Sequence, residues 1–201
     1  MKTFRYVLSV AAVAAAFLLP NSTYATIYVF DANLSGAAES PPNASPGTGF
    51  AQVTFDDVAN MMNVNVTFSG LLGTTTASHI HAATASPGTG TAGVATTTPY
   101  FAGFPIGVMA GTYNNTLDMT QASSYNPSYI TANGMTTASA EAALLAAMLA
   151  DEAYLNIHTT VVPGGEIRGF LVLVPEPGVV TLLVLGAAIP AIWRNRNKLR
   201  R

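Results

Sequence analysis

A two-residue rhythm constrains this chain more than any other feature. From Met62 to Phe68, apolar Met62, Val64, Val66 and Phe68 alternate with polar Asn63, Asn65 and Thr67. Only an extended strand places every second side chain on one face, so the segment predicts a half-buried β-strand. Gly49–Phe55 alternates in the same way, with Ala51, Val53 and Phe55 opposite Phe50, Gln52 and Thr54. Further strand candidates are Ile27–Phe30, the stretch around His79, Gly111–Met119, Tyr154–Thr159 and Glu166–Val174. Clusters of Gly, Pro, Asn and Ser separate them, as at Pro41–Gly49 and Ser86–Gly93. Many short strands punctuated in this way predict a mainly β fold, an antiparallel β-sandwich or barrel. One short α-helix is expected over Ser139–Asp151, with Ser139 as N-cap and Leu144, Leu145, Met148 and Leu149 at helical spacing.

Such a fold must be held by its core, because the chain has no cysteine. Disulfides, thiolate metal sites and cysteine nucleophiles are thereby excluded. Charge is segregated. Between Thr26 and Val174 there is one cation, Arg168, against nine carboxylates, a net charge of −8. A surface so poor in Lys and Arg cannot neutralise phosphates, which excludes nucleic acid as a partner. The other seven cations lie at the two ends.

Those ends read as export and sorting segments. Residues 1–25 carry Lys2 and Arg5, an apolar run from Val7 to Leu19, and the small-x-small triplet Thr23-Tyr24-Ala25. This pattern predicts a signal helix cut by signal peptidase between Ala25 and Thr26. At the far end, Pro175-Glu176-Pro177 precedes an apolar run over Val179–Trp193 and a basic cluster over Arg194–Arg201. Fifteen residues make a helix of about 22 Å, which flanking Trp193 and snorkelling Arg side chains extend toward the span of a bilayer. The basic cluster favours a cytoplasmic C-terminus, so residues 26–174 are expected outside the cytoplasm. The tail is similar to the PEP-CTERM sorting signal of Gram-negative bacteria. That resemblance implies transient anchoring in the inner membrane, processing by an exosortase and an association with exopolysaccharide. A plain C-terminal membrane anchor is the alternative reading.

The candidate chemistry lies in the middle. His79 and His81 flank Ile80, and His158 closes Tyr154-Leu155-Asn156-Ile157-His158. Strand alternation directs Ile80, Leu155 and Ile157 inward and all three histidines outward. If the two strands are neighbours, His79, His81 and His158 converge into a three-imidazole set of the kind that suits Cu or Zn. The alternative is a hydrogen-bonded polar cluster. Farther on, Pro163-Gly164-Gly165 predicts a turn, and Glu166 and Arg168 fall on one face of the strand that follows, as a structural charge pair. No catalytic residue set and no Gly-x-Ser-x-Gly elbow is present, so the chain reads as a non-enzyme.

Leu34-Ser35-Gly36, Glu39, Pro41-Pro42-Asn43, Gly47-Thr48-Gly49, Phe68-Ser69-Gly70-Leu71, Ser78-His79-Ile80-His81 and Tyr154–Gly169 together resemble the CHRD domain, named from chordin and found in many bacterial secreted proteins. The resemblance spans residues 26–174 and implies a β-sandwich, immunoglobulin-like or Cu/Zn-superoxide-dismutase-like, without an established enzymatic activity. It points to an exported envelope or matrix module that binds exopolysaccharide or an envelope protein, with a three-histidine metal-binding protein as the alternative. The His-x-His pair with a later strand histidine is similar to the copper half of the dismutase site. Three histidines and no cysteine cannot build the whole of that site.

Overall fold

A computed structural model describes residues 26–175. Eight strands occur in chain order: β1 (Ile27–Ser35), β2 (Thr48–Asp56), β3 (Met61–Ser69), β4 (Thr75–His81), β5 (Gly111–Asp118), β6 (Tyr154–Thr159), β7 (Ile167–Phe170) and β8 (Val172–Leu173). Two helices, α1 (Pro127–Ala132) and α2 (Thr137–Leu149), lie between β5 and β6. The expected signal helix, Ala25, Glu176, Pro177 and the apolar run over 179–193 lie outside the described residues. Among the described residues, no helix is long and apolar enough to cross a membrane.

The expectation of a mainly β, antiparallel fold holds, but the two-sheet sandwich is corrected to one continuous curled sheet. Its order is β4-β6-β7-β1-β2-β3-β5, with β8 also paired to β1. The sheet stays unbroken because β1 is paired along both edges, with β2 on one side and with β7 and β8 on the other. Curling encloses a single core from the alternating residues read in the sequence. Phe30, Ala32 and Leu34 of β1, Ala51, Val53 and Phe55 of β2, and Met62, Val64, Val66 and Phe68 of β3 are all buried in it. From the other limb come Ile80, Leu155, Ile157 and Ile167.

β1 runs five residues beyond the expected strand. Its alternation continues through polar Asp31 and Asn33, which pair with Gln52 and Phe50. β7 approaches β1 closely. A Cβ on Gly169 would stand 2.4 Å from the Asn33 carbonyl oxygen, so this position admits only glycine.

The helical region also departs from expectation. Thr136, not Ser139, is the N-cap of α2. Ser139 sits at the third helical position and completes a reciprocal capping box. The Ser139 amide donates to Thr136 Oγ1 (3.1 Å) and the Thr136 amide to Ser139 Oγ (3.3 Å). Leu144 and Met148 enter the core, whereas Leu149 is exposed. The unexpected α1 starts at Pro127, behind an Asn126 cap that accepts from the Ser128 amide. It is too short for a periodic pattern to reveal.

Candidate functional site: a three-histidine cluster

β4 and β6 are neighbours, in the register His79↔Asn156 and His81↔Tyr154. Ile80, Leu155 and Ile157 point into the core as alternation requires, so the histidines occupy the opposite face. That face is not an open surface. His79 is only 6% exposed, His81 and His158 are half-buried, and Tyr154 and Asn156 beside them are buried. The chain after β4 folds back along its free edge, bridging His81 to Val94 and Ser78 to Tyr100. This return path forms a second, smaller buried layer that strand alternation cannot reveal.

Loop carbonyls determine how the imidazoles present themselves. His79 Nδ1 donates to the Pro99 carbonyl (3.0 Å), His81 Nδ1 to that of Ala92 (2.7 Å) and His158 Nδ1 to that of Pro163 (2.8 Å). A carbonyl only accepts, so each Nδ1 carries the proton and each Nε2 is left as a lone-pair donor. Nε2 of His79 and Nε2 of His158 stand 3.0 Å apart. Nε2 of His81 is buried with no hydrogen-bond partner. One ligand atom from each of the three lies within 4.8 Å of the others.

The site keeps its histidines neutral. Burial, then the neighbouring His81 and His158, lower His79 to about 3, against the weaker opposing pull of the Pro99 carbonyl. Burial likewise lowers His81 and His158. Around them lies a polar frame. The Tyr154 ring stacks on His81 with centroids 4.7 Å apart and planes 9° apart. The Arg168 guanidinium carbon sits 4.6 Å from the Tyr154 ring centre.

Arg168, 4% exposed, donates to the carbonyls of Ala38 and Gly90. Its carboxylate partner is Glu39, at 3.8 Å. Burial raises Glu39 to about 7 although Arg168 pulls it down. Glu39 Oε1 and Asn156 Oδ1 are also buried without a hydrogen-bond partner.

The expected charge pair between Glu166 and Arg168 is therefore corrected. Glu166 is fully buried one residue before β7 and turns to the end of the sheet. There it accepts from the hydroxyls of Ser45 and Thr159 and from the amides of Leu72 and Gly73. Asn43 reinforces the same corner by donating to the Gly165 and Glu166 carbonyls. The i, i+2 spacing misled because Glu166 belongs to the turn, where Gly165 takes φ +129° and strand alternation does not yet apply.

Sequence reasoning thus placed the three histidines together and missed Glu39, Tyr154 and Asn156 as their frame. A lone cation in an acidic chain signals that some carboxylate must meet it, but only the fold selects Glu39 from nine.

No curated protein and no solved structure matches the chain. The CHRD domain family does match, over residues 30–171, a stretch that holds all three histidines, Glu39, Glu166 and Arg168. With the match covering well over half its length, the chain belongs to the CHRD domain family.

Proposed function

We propose that this protein is an exported CHRD module that binds a transition-metal ion, copper or zinc, through Nε2 of His79, His81 and His158. One observation carries the reading: a ring nitrogen from each histidine lies within 4.8 Å of the others, Nε2 of His79 and His158 stand 3.0 Å apart, and all three Nδ1 protons are held by backbone carbonyls. Two Nε2 lone pairs 3.0 Å apart repel each other, and a cation between them converts the repulsion into ligation. Metal-bound histidines typically hold their second nitrogen by the same kind of partner. Three ligands about 2 Å from one ion stand about 3.4 Å from each other. The spacing here reaches that arrangement with shifts of about an ångström, an order that side-chain rotation supplies. A polar cluster would instead pair its own donors and acceptors, whereas here a buried acceptor is left over.

The location part of the proposal rests on the two ends of the sequence. A signal segment over 1–25 and a PEP-CTERM-like tail over 175–201 support export to the envelope of a Gram-negative bacterium, exosortase processing and association with exopolysaccharide. Replacing Pro175-Glu176-Pro177 by alanines should leave an unprocessed, membrane-bound precursor, and normal processing would remove that part of the reading.

The metal part is tested on the full chain. After dialysis against copper or zinc, metal per chain is measured by mass spectrometry. About one equivalent is expected, and none in the chain carrying both His79→Ala and His81→Ala. Failure of the natural chain to retain metal, or equal retention by the variant, overturns it.

A further inference from the structure

Resting on that metal-site reading, we infer that the cluster selects monovalent copper over divalent copper and zinc. Both charge and ligand count favour the monovalent ion. All three ligands are neutral imidazoles, and the groups holding their Nδ1 protons are the backbone carbonyls of Pro99, Ala92 and Pro163, also neutral. No carboxylate and no thiolate joins the cluster among the described residues. Carbonyls, like carboxylates, make the histidines they hold more basic, but only carboxylates also offset the ion's charge, and none does so here.

What charge there is has the wrong sign for a divalent ion. Arg168 is the sole cation between Thr26 and Val174, and the fold delivers it to this face. Its guanidinium carbon lies 4.6 Å from the centre of the Tyr154 ring, which stacks 4.7 Å from that of His81. The guanidinium therefore lies within about 10 Å of the His81 ring centre, and at an effective dielectric of about 20 each added unit of metal charge is disfavoured at least roughly tenfold. Glu39 faces Arg168 at 3.8 Å, and its burial favours the neutral carboxyl, which weakens its power to cancel the guanidinium.

Ligand count points the same way. A divalent zinc or copper ion requires at least a fourth ligand. With no fourth protein donor in the cluster, that ligand must be a solvent-derived anion or water. A monovalent d10 copper ion is satisfied by three nitrogens alone, and a buried, uncharged site desolvates a single charge at less cost than a double one.

The test uses the full chain under anaerobic conditions. Cuprous ion is titrated in competition with a chromophoric cuprous chelator, and zinc and cupric ion each with a chelator of known affinity. The expected result is one cuprous ion per chain, bound at least a hundredfold more tightly than zinc. X-ray absorption of the cuprous form should show three nitrogen neighbours and no fourth ligand. Arg168→Gln, which removes the positive charge, should narrow the preference for cuprous over zinc ion roughly tenfold, whereas Glu39→Gln, which replaces a largely neutral carboxyl, should leave it within about threefold.

Stoichiometric, histidine-dependent binding with zinc or cupric ion held as tightly as cuprous ion would overturn this inference and leave the metal site standing. A fourth ligand on the cuprous ion would overturn it too. No stoichiometric binding of any of the three ions would remove both readings. Should Arg168→Gln fail to fold, the affinities of the natural chain decide alone.

Discussion

Replacing Glu166 with glutamine separates the shape of this buried side chain from its charge. Oε1 accepts from the Leu72 amide (2.5 Å) and the Ser45 hydroxyl (2.6 Å), and Oε2 from the Gly73 amide (3.2 Å) and the Thr159 hydroxyl (2.5 Å). Each oxygen therefore faces one backbone N–H, a donor that cannot be reversed. A glutamine must turn its NH2 toward one pair or the other, leaving either the Leu72 or the Gly73 amide against another donor. The hydroxyls are poorly placed to adapt, because Ser45 Oγ already accepts from the Gly47 amide and Thr159 Oγ1 from that of Val162. A buried donor without a partner costs about 1–3 kcal/mol, and losing charge assistance on the surviving pair adds about 1–2 kcal/mol.

The expected loss of about 2–5 kcal/mol is a large share of the ~5–15 kcal/mol that holds a domain folded. Urea unfolding should show a lower midpoint with an unchanged slope. The pH dependence supplies a second check. Burial alone would raise the Glu166 carboxyl, but the Ser45 and Thr159 hydroxyls with the Leu72 and Gly73 amides outweigh it and hold it below the ordinary value of 4.5. Its contribution is then full above pH 4.5 and is lost as pH falls through the folded value. The gap between the natural chain and Glu166→Gln should close on acidification. A loss below about 0.5 kcal/mol at neutral pH, where surface substitutions fall, would refute the reasoning.

Four further outcomes follow from the same geometry. Gly169→Ala drives a Cβ to within 2.4 Å of the Asn33 carbonyl and should part β7 from β1, costing at least ~3 kcal/mol; an unshifted melting temperature would contradict this. His79, lowered by burial and by His81 and His158 to about 3, should make metal-free stability fall as pH drops from 6.5 toward 3, a decline that His79→Gln should flatten in an acid titration followed by circular dichroism. Glu39 has the opposite sign: raised by burial to about 7, its contribution is full below pH 4.5 and is lost as pH rises toward 7, so a Glu39→Gln chain whose stability changed with pH over that window just as the natural chain's does would disprove its role. Thr136→Ala removes the side-chain half of the α2 capping box and should lower thermal stability by about 1 kcal/mol, more than Leu149→Ala at an exposed position of the same helix.

The sequence by itself determined the strands and their inward faces. Met62–Phe68 and Gly49–Phe55 declare their buried side because each residue's orientation follows from its neighbours two places away, a local property of the backbone. It also determined that His79, His81 and His158 lie on the face opposite Ile80, Leu155 and Ile157. Within the turn this local rule ceased to apply, so Glu166 was paired with the wrong partner.

Only the tertiary structure decided whatever depends on which segments meet. The pairing of β4 with β6 joined His79 to His158 across 79 positions of sequence. The double pairing of β1 made one curled sheet where a two-sheet sandwich was expected. The return of residues 92–100 over the free edge of β4 buried a face that alternation marked only as not core, and its carbonyls oriented the imidazoles. These contacts join residues far apart in the chain, so no periodicity or spacing encodes them. Their energy comes from closing the fold as a whole, and the histidine site exists only once it has closed.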